Sequence, residues 1–149
     1  MQYYEDIEVG DVTECGSRTV TKAEIIDFAT QYDPQSFHVD EEAAADSPYG
    51  GLIASGWHTA ALCMRQLVDG VLGEQAGMGA LGVDELRWYR PVQPGDTISV
   101  TSEVLEKRPS ESDASRGHVT SKLTGYNQDG DEVISWVGLG LVKRREGEQ

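Results

Sequence analysis

Two hydrophobic periods divide the chain. Up to about residue 70 apolar side chains recur at helical spacing, and from residue 81 they alternate as strands do. Residues 3–20 form an aromatic and acidic lead with a weakly patterned strand over 12–20. Thr21 and Glu24 have capping-box spacing, and Ile25, Ile26, Phe28, Ala29 and Tyr32 then fall on one helical face. Pro34 disfavours a helical Asp33, so this helix ends near Tyr32 or Asp33, before a Pro-broken turn. Asp40 caps a short second helix through about Ala45. Residues 55–70 form the longest helix. Ala60, Ala61, Leu62, Cys63, Met64, Leu67 and Val68 leave it few polar positions, which predicts burial on most sides.

Gly70, Gly73, Gly77 and Gly79 predict a flexible loop. Strands follow over 81–92, 97–107, 118–126 and 133–143, with turn residues at Pro91–Asp96 and Asn127–Gly130 and a polar loop at 108–117. The last strand is apolar on both faces, which suits a central position with a helix on one side and another subunit on the other. Residues 144–149 are a charged tail. At 149 residues without a linker or repeat, the chain reads as one α+β domain over 1–149, an antiparallel sheet wrapped around a long central helix. Its parts are the lead and strand (3–20), helices and a loop (21–48), the central helix (55–70) and the sheet strands (81–143).

Candidate chemistry concentrates in residues 32–59. Asp33 and His38 lie five residues apart, a possible acid/base pair. Gly50 and Gly51 lead into Ser55-Gly56, where the central helix starts with unpaired N–H groups and a partial positive charge. Ser55 reads as the helix N-cap. His58 reads as a satisfied buried histidine, and the three tryptophans as core or subunit contacts.

Composition narrows the function. The formal charge is -14, from 26 acidic and 12 basic residues, so neither nucleic acid nor an anionic membrane surface is an expected partner. With only four lysines, the acidic surface suits a salt-rich cytoplasm as well as an ordinary one. Cys15 and Cys63 sit among apolar or small residues, without CxxC or zinc spacing, and read as reduced packed thiols in a cytoplasmic protein. The first residues lack a basic and an apolar signal region, and no apolar run is long enough for a membrane span.

Asp33-Pro-Gln-Ser-Phe-His38, Asp40-Glu-Glu-Ala, Gly51-Leu-Ile-Ala-Ser-Gly56, Arg90-Pro91-Val92 and Pro94-Gly95-Asp96, in this order, resemble the MaoC-type dehydratases, R-specific enoyl-CoA hydratases of the hot-dog fold. One departure stands out. The family's Asn-Pro between the acid and the histidine is displaced, with Pro34 directly after Asp33 and Gln35 the available amide. A serine that some members carry on the long helix falls near Met64, beside Cys63.

The resemblance implies reversible hydration of a trans-2-enoyl-CoA to the R-3-hydroxyacyl-CoA. Asp33 and His38 would be catalytic, and the Gly56 N–H, with Ser55 and Gly51 near it, would hold the thioester oxygen. His38 is the better base by its ordinary pKa, and Asp33, with its pKa raised by an apolar pocket, would share or orient the water. Which of the two protonates C2 is left open. Arg87 and Arg90 are candidate contacts for CoA phosphates. No metal or organic cofactor is expected, coenzyme A being part of the substrate. A homodimer joining two sheets is expected, with larger assemblies also compatible. Two rival readings are a hot-dog thioesterase, for which the central helix offers only Asp69, and a non-catalytic acyl-thioester-binding subunit.

Overall fold

Thr21 starts the first helix as its spacing predicts. In the computed structural model, which describes residues 1–145, its hydroxyl accepts from the Glu24 N–H at 3.2 Å. The Glu24 carboxylate reaches back to the Thr21 hydroxyl at 3.0 Å. Helix α1 runs Lys22–Tyr32 and stops at Asp33, whose N–H closes the last turn on the Ala29 carbonyl at 2.8 Å. The next residues are more regular than a broken turn: Ser36–Val39 form one helical turn, α2. Asp40 then caps α3, Glu41–Ala45, by accepting from the N–H groups of Glu42 and Ala43. The long helix α4 covers Gly56–Gly70, and the Ser55 hydroxyl caps it by accepting from the Trp57 N–H.

Five strands form one antiparallel sheet in the order β1-β3-β4-β5-β2. They are β1 (Val12–Thr19), β2 (Gly77–Trp88), β3 (Thr97–Pro109), β4 (Arg116–Tyr126) and β5 (Glu132–Lys143). The Asn127 side chain shapes the turn before β5, its Oδ1 accepting from the N–H groups of Asp129 and Asp131, with Gly130 left-handed at φ 81. The main core joins the inner surface of the sheet to α1 and α4 through Ile25, Leu62, Cys63, Ile98, Val100, Leu123 and Ile134. Each such large side chain contributes about 1.5–3 kcal/mol by leaving water. A second cluster, Tyr4, Ile7, Val119 and Val142, closes the other end, where Arg144 pairs with Glu5 at 2.9 Å. Among the described residues no helix is long and apolar enough to cross a membrane.

Two expectations change. The glycine-rich stretch is not all loop, because Gly77 and Gly79 belong to β2, which starts four residues before the predicted position 81. Gly79 has φ 91, and the β2–β5 register shifts three times, so these residues form a bulged, curled strand. The central helix is also not buried on most sides. His58, Thr59, Leu62, Cys63 and Gln66 face the protein, whereas Trp57, Ala61, Met64 and Val68 lie exposed on the opposite face. One sheet can cover only one side of a helix.

Candidate active site

Asp33 arrives at the C-terminal end of α1, and His38 on α2 five residues later. The single turn of α2 folds the chain back so that His38 Nε2 lies 3.3 Å from Asp33 Oδ2. His38 is buried, packed edge-on against Phe37 at 4.5 Å. Its Nδ1 is 2.7 Å from the Ile53 carbonyl oxygen. A carbonyl only accepts, so Nδ1 carries the proton, and in the neutral ring the lone pair of Nε2 faces Asp33. The residue 52–54 segment is itself anchored, with Ile53 N–H donating to the Phe37 carbonyl at 3.2 Å and Ala54 N–H to the Val92 carbonyl at 2.8 Å.

Asp33 holds two further donors. The Ser55 hydroxyl donates to Oδ2 at 2.7 Å and the Gln35 side-chain amide to Oδ1 at 2.7 Å. The Ser55 hydrogen bond holds the Asp33 carboxyl below its ordinary value; burial opposes this, and Gln35 and His38 add to it. This corrects the expectation that an apolar pocket raises it. Burial does act on the carboxyl, but the polar groups beside it are donors aimed at the carboxylate.

Asp33 and His38 open into a cleft of about 450 Å³, lined also by Gln35, Tyr49, Gly56, Trp57, Trp88, Tyr89 and Arg90. Gly56 contributes the first turn of α4, and the indole N–H of Trp88 donates to its carbonyl oxygen at 2.8 Å. Trp57 meets Trp88 edge-on at 5.1 Å. The cleft thus unites a carboxylate, an imidazole whose Nε2 faces that carboxylate, and a helix N-terminus. That set can hold a water and a carbonyl at once.

The fold that carries this cleft has counterparts among known proteins. The MaoC like domain matches residues 8–127. The chain belongs to the MaoC-like dehydratase family. A MaoC-like dehydratase from Rhodospirillum rubrum superposes with a TM-score of 0.90 at 43% identity, over 97% of this chain and 99% of that one. An unliganded R-hydratase from Pseudomonas aeruginosa gives a TM-score of 0.73 at 27% identity, over 97% and 86%. A 3-hydroxybutyryl-CoA dehydratase from Methylorubrum extorquens is 34% identical over 144 residues, 95% of this chain and 83% of the relative. The fold is therefore the hot-dog fold of the MaoC-like dehydratases, as the motif order implied.

Within this MaoC-like framework the other candidate residues separate. Gly56 lines the cleft, whereas Ser55 is fully buried behind it and meets the site only through its hydrogen bond to Asp33. Gly51 lies in the lead-in and is not among the residues lining it. Arg90 lines the cleft and sits 3.8 Å from Asp131, while Arg87 lies outside, exposed, with its guanidinium donating to the Leu86 carbonyl. Trp88, Tyr89 and Tyr49 line the cleft as well, where the sequence predicts Trp88 as a core or subunit contact and gives the two tyrosines no role. Trp88 is 32 positions from Gly56, and nothing local signals that contact. Ser55 is the cap that the sequence predicts and also a candidate beside Gly56 for the thioester oxygen; its bond to Asp33 spans 22 residues and has no local signal either.

His58 also departs from expectation. It is buried and stacked on Phe28 at 4.9 Å, but its Nδ1 has no hydrogen-bond partner. Burial pushes its pKa below the ordinary value of 6.5; Glu24 opposes and Arg18 reinforces this. The unfolded chain therefore takes up a proton that the folded one resists, and stability falls as pH drops below about 6.5. Replacement His58→Phe should reduce this loss, seen as a smaller drop in melting temperature between pH 7 and pH 5. An unchanged drop would place the acid sensitivity elsewhere.

Proposed function

We propose that this protein is a hydro-lyase that reversibly adds water across the C2–C3 double bond of a trans-2-enoyl-CoA to give the R-3-hydroxyacyl-CoA, acting in the cytoplasm. The observation that carries this reading is the Asp33–His38 pair, 3.3 Å apart in a cleft that also contains the first turn of α4 at Gly56. A water held between Asp33 Oδ2 and His38 Nε2 would attack C3 and surrender a proton there. The developing enolate oxygen would take the Gly56 N–H, which has no intrahelical acceptor and sits at the positive end of the helix dipole. Arg90, with Arg87 farther out, would meet the CoA phosphates. The relatives named as a 3-hydroxybutyryl-CoA dehydratase and an R-hydratase support the reaction class. No organic cofactor or metal takes part in this scheme.

The test is turnover of enoyl-CoAs of four to twelve carbons, followed by loss of the enoyl-thioester absorbance, with chiral analysis of the product. R-3-hydroxyacyl-CoA is expected. The S product, or binding without absorbance change, would refute the reading, the latter in favour of a binding subunit. Thioesterase chemistry is disfavoured because Asp69 is exposed, paired with Arg65 at 3.0 Å, and absent from the cleft lining. Release of free CoA from an acyl-CoA would revive it.

A homodimer is part of the same proposal. β2 is an edge strand with Leu81 and Val83 exposed, and Met64 and Val68 of α4 are exposed too, Met64 and Val83 lining one shared groove. An apolar edge strand invites pairing with a second copy. Sedimentation should give the dimer mass, and Val83→Lys should shift it to the monomer; a monomeric wild-type protein would refute this.

A further inference from the structure

Ser55 stands between the helix start and the acid of the pair, and its hydroxyl is engaged on both sides. Its side chain is fully buried. The oxygen accepts from the Trp57 N–H at 3.3 Å, which is the capping interaction. A hydroxyl has one proton to give. Here it points at Asp33 Oδ2, 2.7 Å away. The other oxygen of Asp33 receives the Gln35 amide at the same distance.

An acid that protonates C2 must first carry a proton. On Asp33 that proton would have to sit on an oxygen already facing a donor, an O–H from Ser55 or an N–H from Gln35. His38 has the opposite arrangement. Its Nδ1 is tied to the Ile53 carbonyl, and Nε2 faces Asp33 Oδ2 at 3.3 Å with no other hydrogen-bond partner among the described residues.

We propose that Ser55 is a positioning residue that reserves Asp33 as the acceptor of the pair, so that the proton delivered to C2 passes through His38 Nε2. This rests on the hydration reading given above. In the hydration direction, a lone pair of the water oxygen forms the C3–O bond and the C2=C3 π pair moves onto the thioester as an enolate. The proton lost by the water passes to Nε2. As the enolate collapses, its returning pair forms the C2–H bond with the proton carried by Nε2, leaving a neutral imidazole. Asp33 accepts a hydrogen bond from the water and ends as it began. Ser55 reaches the reaction only through Asp33.

The test reads the carboxyl directly. Carbon-13 NMR of aspartate-labelled protein, with the Asp33 signal assigned by its loss in Asp33→Asn, gives the titration of Asp33 without substrate. In Ser55→Ala the Asp33 carboxyl is expected to titrate at higher pH than in the wild type. The acid limb of the kcat/KM profile should follow it upward, and kcat/KM at neutral pH should fall about 10- to 100-fold, the scale of one hydrogen bond to a charged group. Ser55→Thr, which keeps the hydroxyl, should return both toward wild type.

If Ser55→Ala does not fold, Ser55→Gly serves, since glycine is tolerated at an N-cap far better than alanine. A lower melting temperature with an unmoved Asp33 titration would reduce Ser55 to a helix cap and overturn the proposal. The titration needs no turnover. The expected Asp33 shift in a protein inert toward every enoyl thioester would retain the role of Ser55 and reject the hydration reading instead.

Discussion

Asp33→Asn is expected to lower the hydration rate by about 100- to 10,000-fold, the range for removing a positioned acid/base group, while leaving the fold intact. The substitution is nearly isosteric. Its carbonyl oxygen can still accept from the Ser55 hydroxyl, which now donates to Oδ2 at 2.7 Å. The Gln35 amide can turn to present its oxygen to the new NH2 group, so the loop keeps its contacts. What disappears is the negative charge 3.3 Å from His38 Nε2. Without it the imidazolium formed when water is deprotonated has no counter-ion, and the water loses an acceptor. The melting temperature should stay within a few degrees, because Asp33 belongs to a rim of polar contacts rather than to the apolar core. Turnover of crotonyl-CoA near the wild-type rate in a folded Asp33→Asn protein would remove Asp33 from the reaction.

Gly56→Ala is the second large expected effect, and it acts by shape. A methyl group at residue 56 would lie 2.6 Å from Trp88 Cε2 and 2.7 Å from Nε1. The indole must move, and its hydrogen bond to the Gly56 carbonyl, 2.8 Å long, must lengthen or break. Overpacking of this kind costs about 1–3 kcal/mol of stability. The methyl also stands beside the N–H assigned to the thioester oxygen, so kcat is expected to fall by about 100- to 1,000-fold, as when an oxyanion donor is lost. The pair Gly56→Ala with Trp88→Ala separates the two costs. Removing the indole should restore stability, and activity should remain low if the methyl blocks the carbonyl. Recovery of activity in the double variant would mean that Gly56 serves only to seat Trp88.

Much of this was legible along the chain. The Thr21 capping box, the stop before Pro34, the Asp40 cap and the start of α4 at Ser55-Gly56 depend on residues within four positions of one another, and local chemistry settles them. The same holds for the Asp33 and His38 candidates, which one turn of α2 brings together. Glycine misled at residues 77–79, where freedom at positive φ serves a curled strand instead of a loop. The all-round apolar composition of α4 also misled, because it reports burial without saying whether the cover comes from this chain.

By itself, then, the sequence determined an α+β chain with one long central helix, an acid and a histidine before it, and glycine at its first turn. Those features arise from periodicity, capping and backbone restriction, which act over a few residues. Tertiary structure decided the state of the site. Ser55 donates to Asp33 across 22 residues, the Ile53 carbonyl selects the tautomer of His38 across 15, and Trp88 closes over Gly56 across 32. Such contacts depend on how α1, α4 and β2 come to lie against one another. It is the buried partner of each group, more than its own identity, that sets its charge and the direction of its proton.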